Sequence, residues 1–132
     1  MDEIYFPMTA NILTVGHLKC LEYLSRRGFV TVGLLTSKAL RGYKKELVPF
    51  QDRKYILDTI AMAIGNIDVV PQDNLNPMEN IKRYKCTAIA SGDGFEVVEK
   101  RAIKKFKLKE INIKLKGEIK KKYSSSKICQ KC

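Results

Sequence analysis

The stretch FVTVGLLT (residues 29–36) is apolar or β-branched at nearly every position and carries no charge. A strand with one solvated face alternates apolar and polar residues. A run that is apolar at successive positions must be covered on both faces, the pattern of a parallel sheet between helices. EIYFPM (3–8), IDVVP (67–71), CTAIASG (86–92) and INIKL (111–115) read as four further strands. Helical patterns separate them. HLKCLEYLSRRG (17–28) places Leu18, Leu21 and Leu24 on one face and ends at Gly28. QDRKYILDTIAMAI (51–64), NPMENIKRYK (76–85) and residues 94–108 follow, and SSSKICQK (124–131) reads as a last helix entered through a serine cap. Strand and helix alternate throughout, so the expectation is an α/β open sandwich with a five-stranded, mostly parallel sheet and helices on both faces. The 132 residues show no repeat, low-complexity segment or linker, and read as a single domain, 1–132, long enough for a substantial core.

Charge narrows the classes of partner. The formal net charge is +11, and residues 101–132 hold twelve of the 25 Lys and Arg but two of the 14 acidic groups. Such asymmetry points to an anionic partner, either nucleic acid or a phosphorylated small molecule. KRAIKKFKLKE also fits a solvated basic helix face, whereas in KKKYSSSK the lysines abut a hydroxyl cluster. Aromatic residues are not interleaved with the basic ones beyond Phe106 and Tyr123, which disfavours a non-catalytic RNA or DNA module. No apolar run approaches the ~20 residues needed to span a bilayer, and MDEIYFPM does not read as a secretory signal. Cys20, Cys86, Cys129 and Cys132 are too scattered for a disulfide framework, which suits the reducing cytoplasm. Cys129 and Cys132 form a lone CxxC, with Cys20, Cys86 and His17 as the remaining soft ligands. The pair reads as a tail and no metal site is expected.

In sheets of this kind ligands bind beyond the carboxyl ends of the strands, near the reversal of strand order. Residues 9–17, 37–49, 92–95 and 116–127 are polar stretches expected at those ends. His17, the one histidine, then lies at the start of the first helix, where backbone N–H groups and the helix dipole favour a phosphate. Gly16 lets backbone approach closely, and Thr14 adds a hydroxyl. SSSK (124–127) repeats that physics at another helix start.

TVGH (14–17) after the first strand, PFQDRKYIL, and SSSK before the last helix together resemble the HxGH superfamily of nucleotidyltransferases. PMTANILTVGHL, VTVGLLTSKALRGYKK, VVPQDNL and SGDGF are similar to the small cytidylyltransferases that act on phosphonates and phosphate monoesters, the 2-aminoethylphosphonate and glycerol-3-phosphate enzymes among them. The resemblance runs from about residue 4 to 128. It implies a Rossmann-like fold and transfer of CMP from CTP, with magnesium, to a small phosphate or phosphonate acceptor, releasing pyrophosphate. It also implies a homodimer and no membrane or nucleic-acid partner. Chemistry of this type asks for positioning and charge stabilisation more than acid–base steps. The implied catalytic residues are His17, Lys44 and Thr14. The implied nucleotide-binding residues are Met8, Thr9, Gly16, His17, Lys45, Gly92, Asp93, Ser124, Ser125, Ser126 and Lys127.

The sequence departs from the family pattern at several positions. The first histidine of HxGH is Thr14, as in the similar TNGH of phosphopantetheine adenylyltransferases, which makes an ATP-dependent adenylyltransferase the alternative. The usual loop aspartate is Asn11, the second aspartate of the family's GDD is Gly94, and the following tryptophan is Phe95. Lys120 to Lys122 stand where an arginine-bearing motif is usual, as point charges rather than a fork. A degenerate protein that binds a nucleotide without turnover is a further alternative. Arg53, beside Asp52 and Lys54, reads as a structural ion-pair residue rather than a substrate ligand. Lys44 fits either a phosphate contact or a solvated loop. Tyr5, Phe6, Tyr23 and Tyr55 read as packing, and Phe95 as either a base-stacking platform or a core residue.

Overall fold

The computed structural model describes residues 1–92 and 94–113. Along the chain run β1 (Asp2–Met8), α1 (Val15–Ser25), β2 (Gly28–Leu35), α2 (Ser37–Leu40), α3 (Phe50–Ile64), β3 (Ile67–Gln72), α4 (Met78–Arg83), β4 (Ala88–Ser91), α5 (Val97–Phe106) and β5 (Lys109–Asn112). The five strands form one sheet in the order β3-β2-β1-β4-β5, and every pair is parallel. The architecture is the α/β Rossmann-like sandwich expected from the alternation.

Alternation along β1 divides the core. Ile4, Phe6 and Met8 join Leu21 and Leu24 of α1 and Leu57 of α3 on one face. Tyr5 points to the other face, with Ile81 of α4, Ile89 of β4 and Ala102 of α5. Apolar residues on both faces of β1 and β2 are thus explained by helices on both sides.

The strand order reverses between β1 and β4, and there the sheet opens. Pairing of β1 with β4 ends at Tyr5↔Ile89, while β1 stays paired with β2 as far as Met8↔Leu34. The N–H and C=O of Glu3 both turn toward Thr87, before β4, so the backbone of residue 7 turns to the same side. Pro7, which has no N–H, therefore stands where β1 has no β4 partner left to bond. The missing donor costs no ladder bond, and the parting strands leave a crevice at their carboxyl ends.

Three boundaries differ from the sequence expectation. The first helix begins at Val15 rather than His17, because Thr14 is its extended N-cap (φ −123°, ψ 171°). Gly16 and His17 thus lie within the first turn. Gly28 does not end that helix; it opens β2 opposite Asp2, where any Cβ would overlap the Asp2 carbonyl. The last described strand, Lys109–Asn112, begins two residues before the expected 111, and the expected end at 115 lies outside the described residues. The expected helix at 124–131 lies outside the described residues.

A buried polar network spans the second face. The Tyr5 hydroxyl donates to Gln72 Oε1 (2.6 Å) and accepts from Asn80 Nδ2 (2.9 Å). Burial pushes the Tyr5 phenol above its ordinary pKa, so it stays protonated as a donor. Gly33 makes the space, since a Cβ there would overlap both the Tyr5 hydroxyl and the Gln72 amide oxygen. Gly33→Ala should therefore destabilise the protein by about 1–3 kcal/mol, the usual cost of overpacking. Urea unfolding of the variant against the parent protein measures that difference.

Candidate active site

The loop after β1 is held by three long-range hydrogen bonds from two side chains, Arg53 and Asn11. Met8 ends the strand with its side chain buried among the core residues, so only its backbone faces the crevice end. Ala10 takes a left-handed conformation (φ 57°) and is buried, turning the chain out of the strand. The Thr9 carbonyl accepts a hydrogen bond from Arg53 (2.9 Å). The Asn11 amide donates to the Lys45 carbonyl (2.7 Å), and its oxygen accepts from the Leu47 N–H (3.0 Å).

His17 is the third residue of α1. Its Nδ1 accepts from the Thr14 backbone N–H (3.1 Å), and the Thr14 hydroxyl lies 3.2 Å from the same nitrogen. A ring nitrogen that accepts carries no proton, so the imidazole proton is on Nε2, which acts as a donor. The ring is half-buried, above a helix start whose backbone N–H groups and dipole favour an anion. Thr14 thus does more than offer a hydroxyl. Its backbone sets the tautomer and tilt of the neighbouring imidazole.

Arg53 is the residue whose role the sequence most understated. Its side chain is 0% exposed. Nε donates to the Val48 carbonyl (2.8 Å), NH1 to Thr9 (2.9 Å) and Leu35 (2.6 Å), and NH2 to Glu46 Oε2 (2.7 Å). The expected structural ion pair is present, but with Glu46 rather than Asp52; Lys54 pairs with Asp58 (2.8 Å). Glu46 also accepts from the Ser37 hydroxyl (2.6 Å). That hydroxyl above all, with Arg53 adding to it, holds the carboxyl below its ordinary pKa against the opposing effect of desolvation. No local pattern marked Glu46, since Arg53 lies on a different element.

Lys44 and Lys45 are exposed on the segment that these contacts fix. Lys44 donates its backbone N–H to Leu40 (3.0 Å), and its ammonium stands 5.2 Å from the Tyr43 ring centre. The structure therefore brings the segment carrying both lysines against the loop that leads to Thr14, Gly16 and His17.

Across the crevice, Gly92 follows β4 with open space where a Cβ would be. The Ser91 hydroxyl donates to the Gly94 carbonyl, and Gly94 adopts φ +103°. An aspartate there would be strained, which accounts for glycine at this position. Phe95 packs against the second core cluster, so it serves packing rather than presenting a free platform. Asp93, Lys120 to Lys122, Ser124, Ser125, Ser126, Lys127 and the CxxC lie outside the described residues. Cys20 and Cys86 belong to core clusters on opposite faces of the sheet, and burial pushes the Cys86 thiol up to about 11. No described helix is long and apolar enough to cross a membrane.

Comparison with known proteins adds a family match. The family model described as cytidylyltransferase-like matches residues 5–131. No curated protein matches the sequence significantly. Among solved structures, the lipopolysaccharide core biosynthesis protein from Thermoplasma volcanium GSS1 superposes with a TM-score of 0.72 at 15% identity, covering 88% of this chain and 98% of its own. A protein of unknown function from Archaeoglobus fulgidus gives 0.71 at 14% identity, covering 85% and 89%. A universal stress protein from the same organism gives 0.56 at 13%, covering 86% and 94%. At these identities the superpositions show the shared fold.

The Arg53 contacts generate a direct test. Arg53→Met leaves three carbonyls and a carboxylate without their donor, and should cost on the order of 3 kcal/mol in unfolding free energy. Arg53→Lys should recover only part of it, because an ammonium cannot reach four acceptors in a fixed fork. Chemical unfolding of both variants checks the order.

Proposed function

The chain belongs to the cytidylyltransferase-like family and is a nucleotidyltransferase, and from that premise we propose that it transfers CMP from CTP to a small phosphate monoester or phosphonate. An acceptor oxygen attacks the α-phosphorus in line. The bond from that phosphorus to the bridging oxygen breaks, and pyrophosphate leaves.

The observation that carries this reading is His17. At the start of α1, beside the parting of β1 and β4, it holds Nδ1 on the Thr14 N–H, which leaves the ring proton on Nε2 as a donor. A preorganised donor of this kind stabilises charge that builds on the phosphoryl oxygens in the transition state. Lys44 and Lys45 supply positive charge for the triphosphate, while Thr9, Gly16 and the backbone after Met8 shape the loop around it. Gly92 leaves room for the nucleoside side. Asp93, Ser124 to Ser126 and Lys127 enter on the sequence resemblance alone.

The described residues contain no group of three or more His, Cys, Asp or Glu able to hold a metal ion. Magnesium enters the proposal on the sequence resemblance, as part of the Mg–CTP substrate, neutralising the triphosphate, which fits an ion that binds mainly through phosphates and water.

Thr14 in place of the first histidine supports ATP as a second reading. Calorimetric titration with magnesium CTP and magnesium ATP separates the two. CTP should bind at least tenfold tighter, a difference of about 1.4 kcal/mol, and the reverse order would replace CTP by ATP.

A second experiment addresses the mechanism. His17→Ala should lower turnover by about 10²–10³ while weakening nucleotide binding much less, because the lost donor acts chiefly in the transition state. Near-parental turnover with the true acceptor would remove His17 from the mechanism.

A further inference from the structure

We infer that Asn11 is a positioning residue that sets the phosphate-binding lysines against the His17 loop, an inference that rests on the nucleotidyltransferase reading above. Its amide makes two contacts, across 34 and 36 residues of sequence: Nδ2 to the Lys45 carbonyl at 2.7 Å, and Oδ1 from the Leu47 N–H at 3.0 Å. The partners dictate the chemistry, since a carbonyl can only accept and a backbone N–H can only donate. A side chain at position 11 must therefore present one donor and one acceptor. A carboxylate cannot. It would lose the donor and set a negative oxygen against the Lys45 carbonyl.

Arg53 completes the arrangement. Residues 45 and 47 are held by Asn11, while residues 46 and 48 are held by the guanidinium through the Glu46 carboxylate and the Val48 carbonyl. Four successive residues are thus fixed alternately by two side chains, one from the loop after β1 and one from α3. The side chains of Lys44 and Lys45 are exposed at the head of this segment, so its placement decides where their charges stand. Asparagine at this position, which reads as a lost aspartate in sequence, is instead the residue type that this strap requires.

The probe is inorganic triphosphate, whose binding needs the lysines but no particular base. Binding to the full chain is measured by calorimetry for the parent protein, Asn11→Asp, a Lys44→Ala/Lys45→Ala double variant, and the combination. Hydrogen exchange at the Lys45–Val48 amides is followed in parallel without ligand. Asn11→Asp should weaken triphosphate binding roughly tenfold, as expected for one lost hydrogen bond and a negative oxygen set against the Lys45 carbonyl. As that repulsion displaces the side chain, exchange at Leu47 should accelerate by more than any change in global unfolding accounts for. In the lysine-free background the same substitution should have almost no further effect. Full additivity of the two losses would overturn the inference, since Asn11 would then act independently of the lysines. Unchanged affinity, unchanged exchange at Leu47, or no triphosphate binding by the parent protein would also overturn it. A parent protein that binds triphosphate but shows no preference for CTP would overturn the CTP reading and leave the strap standing.

Discussion

A guanidinium removed from water must find acceptors on all sides, and Arg53 finds them at the ends of β1 and β2. An unmatched buried charge costs several kcal/mol. The side chain therefore cannot occupy its position unless Thr9, Leu35, Glu46 and Val48 converge on it. Two loops that leave neighbouring parallel strands, and a segment that precedes α3, become one layer over the carboxyl edge of the sheet. The contact is directional as well as strong. Three different nitrogens of a planar group meet four acceptors, so the angle between the loops is fixed along with their separation.

What this layer surrounds is a gap that the strands themselves create. β1 follows β2 to Met8 but leaves β4 after Tyr5, and Pro7 brings no donor to the side that opens. On the far face, the Tyr5, Gln72 and Asn80 network keeps β1, β3 and α4 together without an unsatisfied buried side-chain atom among the described residues. The sheet is thus braced beneath the gap, and α1 begins in the loop that leaves β1 at the same carboxyl end. A site built in this way needs few specialised side chains, since its geometry comes from strand order and its charge preference largely from backbone.

The parts that sequence revealed are those whose physics is local or repetitive. Burial on both faces of a strand leaves consecutive apolar residues, so β2 and the parallel sheet were legible in FVTVGLLT. A helix entered through a threonine cap shows in the apolar spacing that follows it, so the start of α1 was legible to within two residues. Gly28 was misread because its reason lies in the Asp2 carbonyl on another strand. Arg53 was correctly read as structural, yet its partner is Glu46 and its main ligands are carbonyls, which leave no mark on side-chain identity. Asn11 was legible only as a departure. Its two partners are backbone atoms more than thirty residues away, and their donor and acceptor order is visible only in three dimensions. Phe95 shows the same limit, since an aromatic after a strand fits packing or stacking until its neighbours are known.

In the proposed phosphate site the single imidazole meets two demands that no other side chain satisfies together. The third residue of a helix is the position from which a side chain can accept from the N-cap N–H, a task usually performed by Glu or Gln. Glutamate would cap the helix but repel a phosphate at its N-terminus. Glutamine would accept with its one oxygen and leave a flexible, weaker donor. Lysine would attract the phosphate but could not accept from Thr14 at all. Imidazole divides the labour between two nitrogens on one rigid ring: Nδ1 closes the cap with Thr14, and that bond fixes the proton on Nε2 and the direction in which it points. Local folding of the helix terminus and preorganisation of the donor are therefore a single event. The chain can lack the first histidine of the usual pair and still orient the second, because what orients it is the backbone of residue 14 rather than the side chain found there.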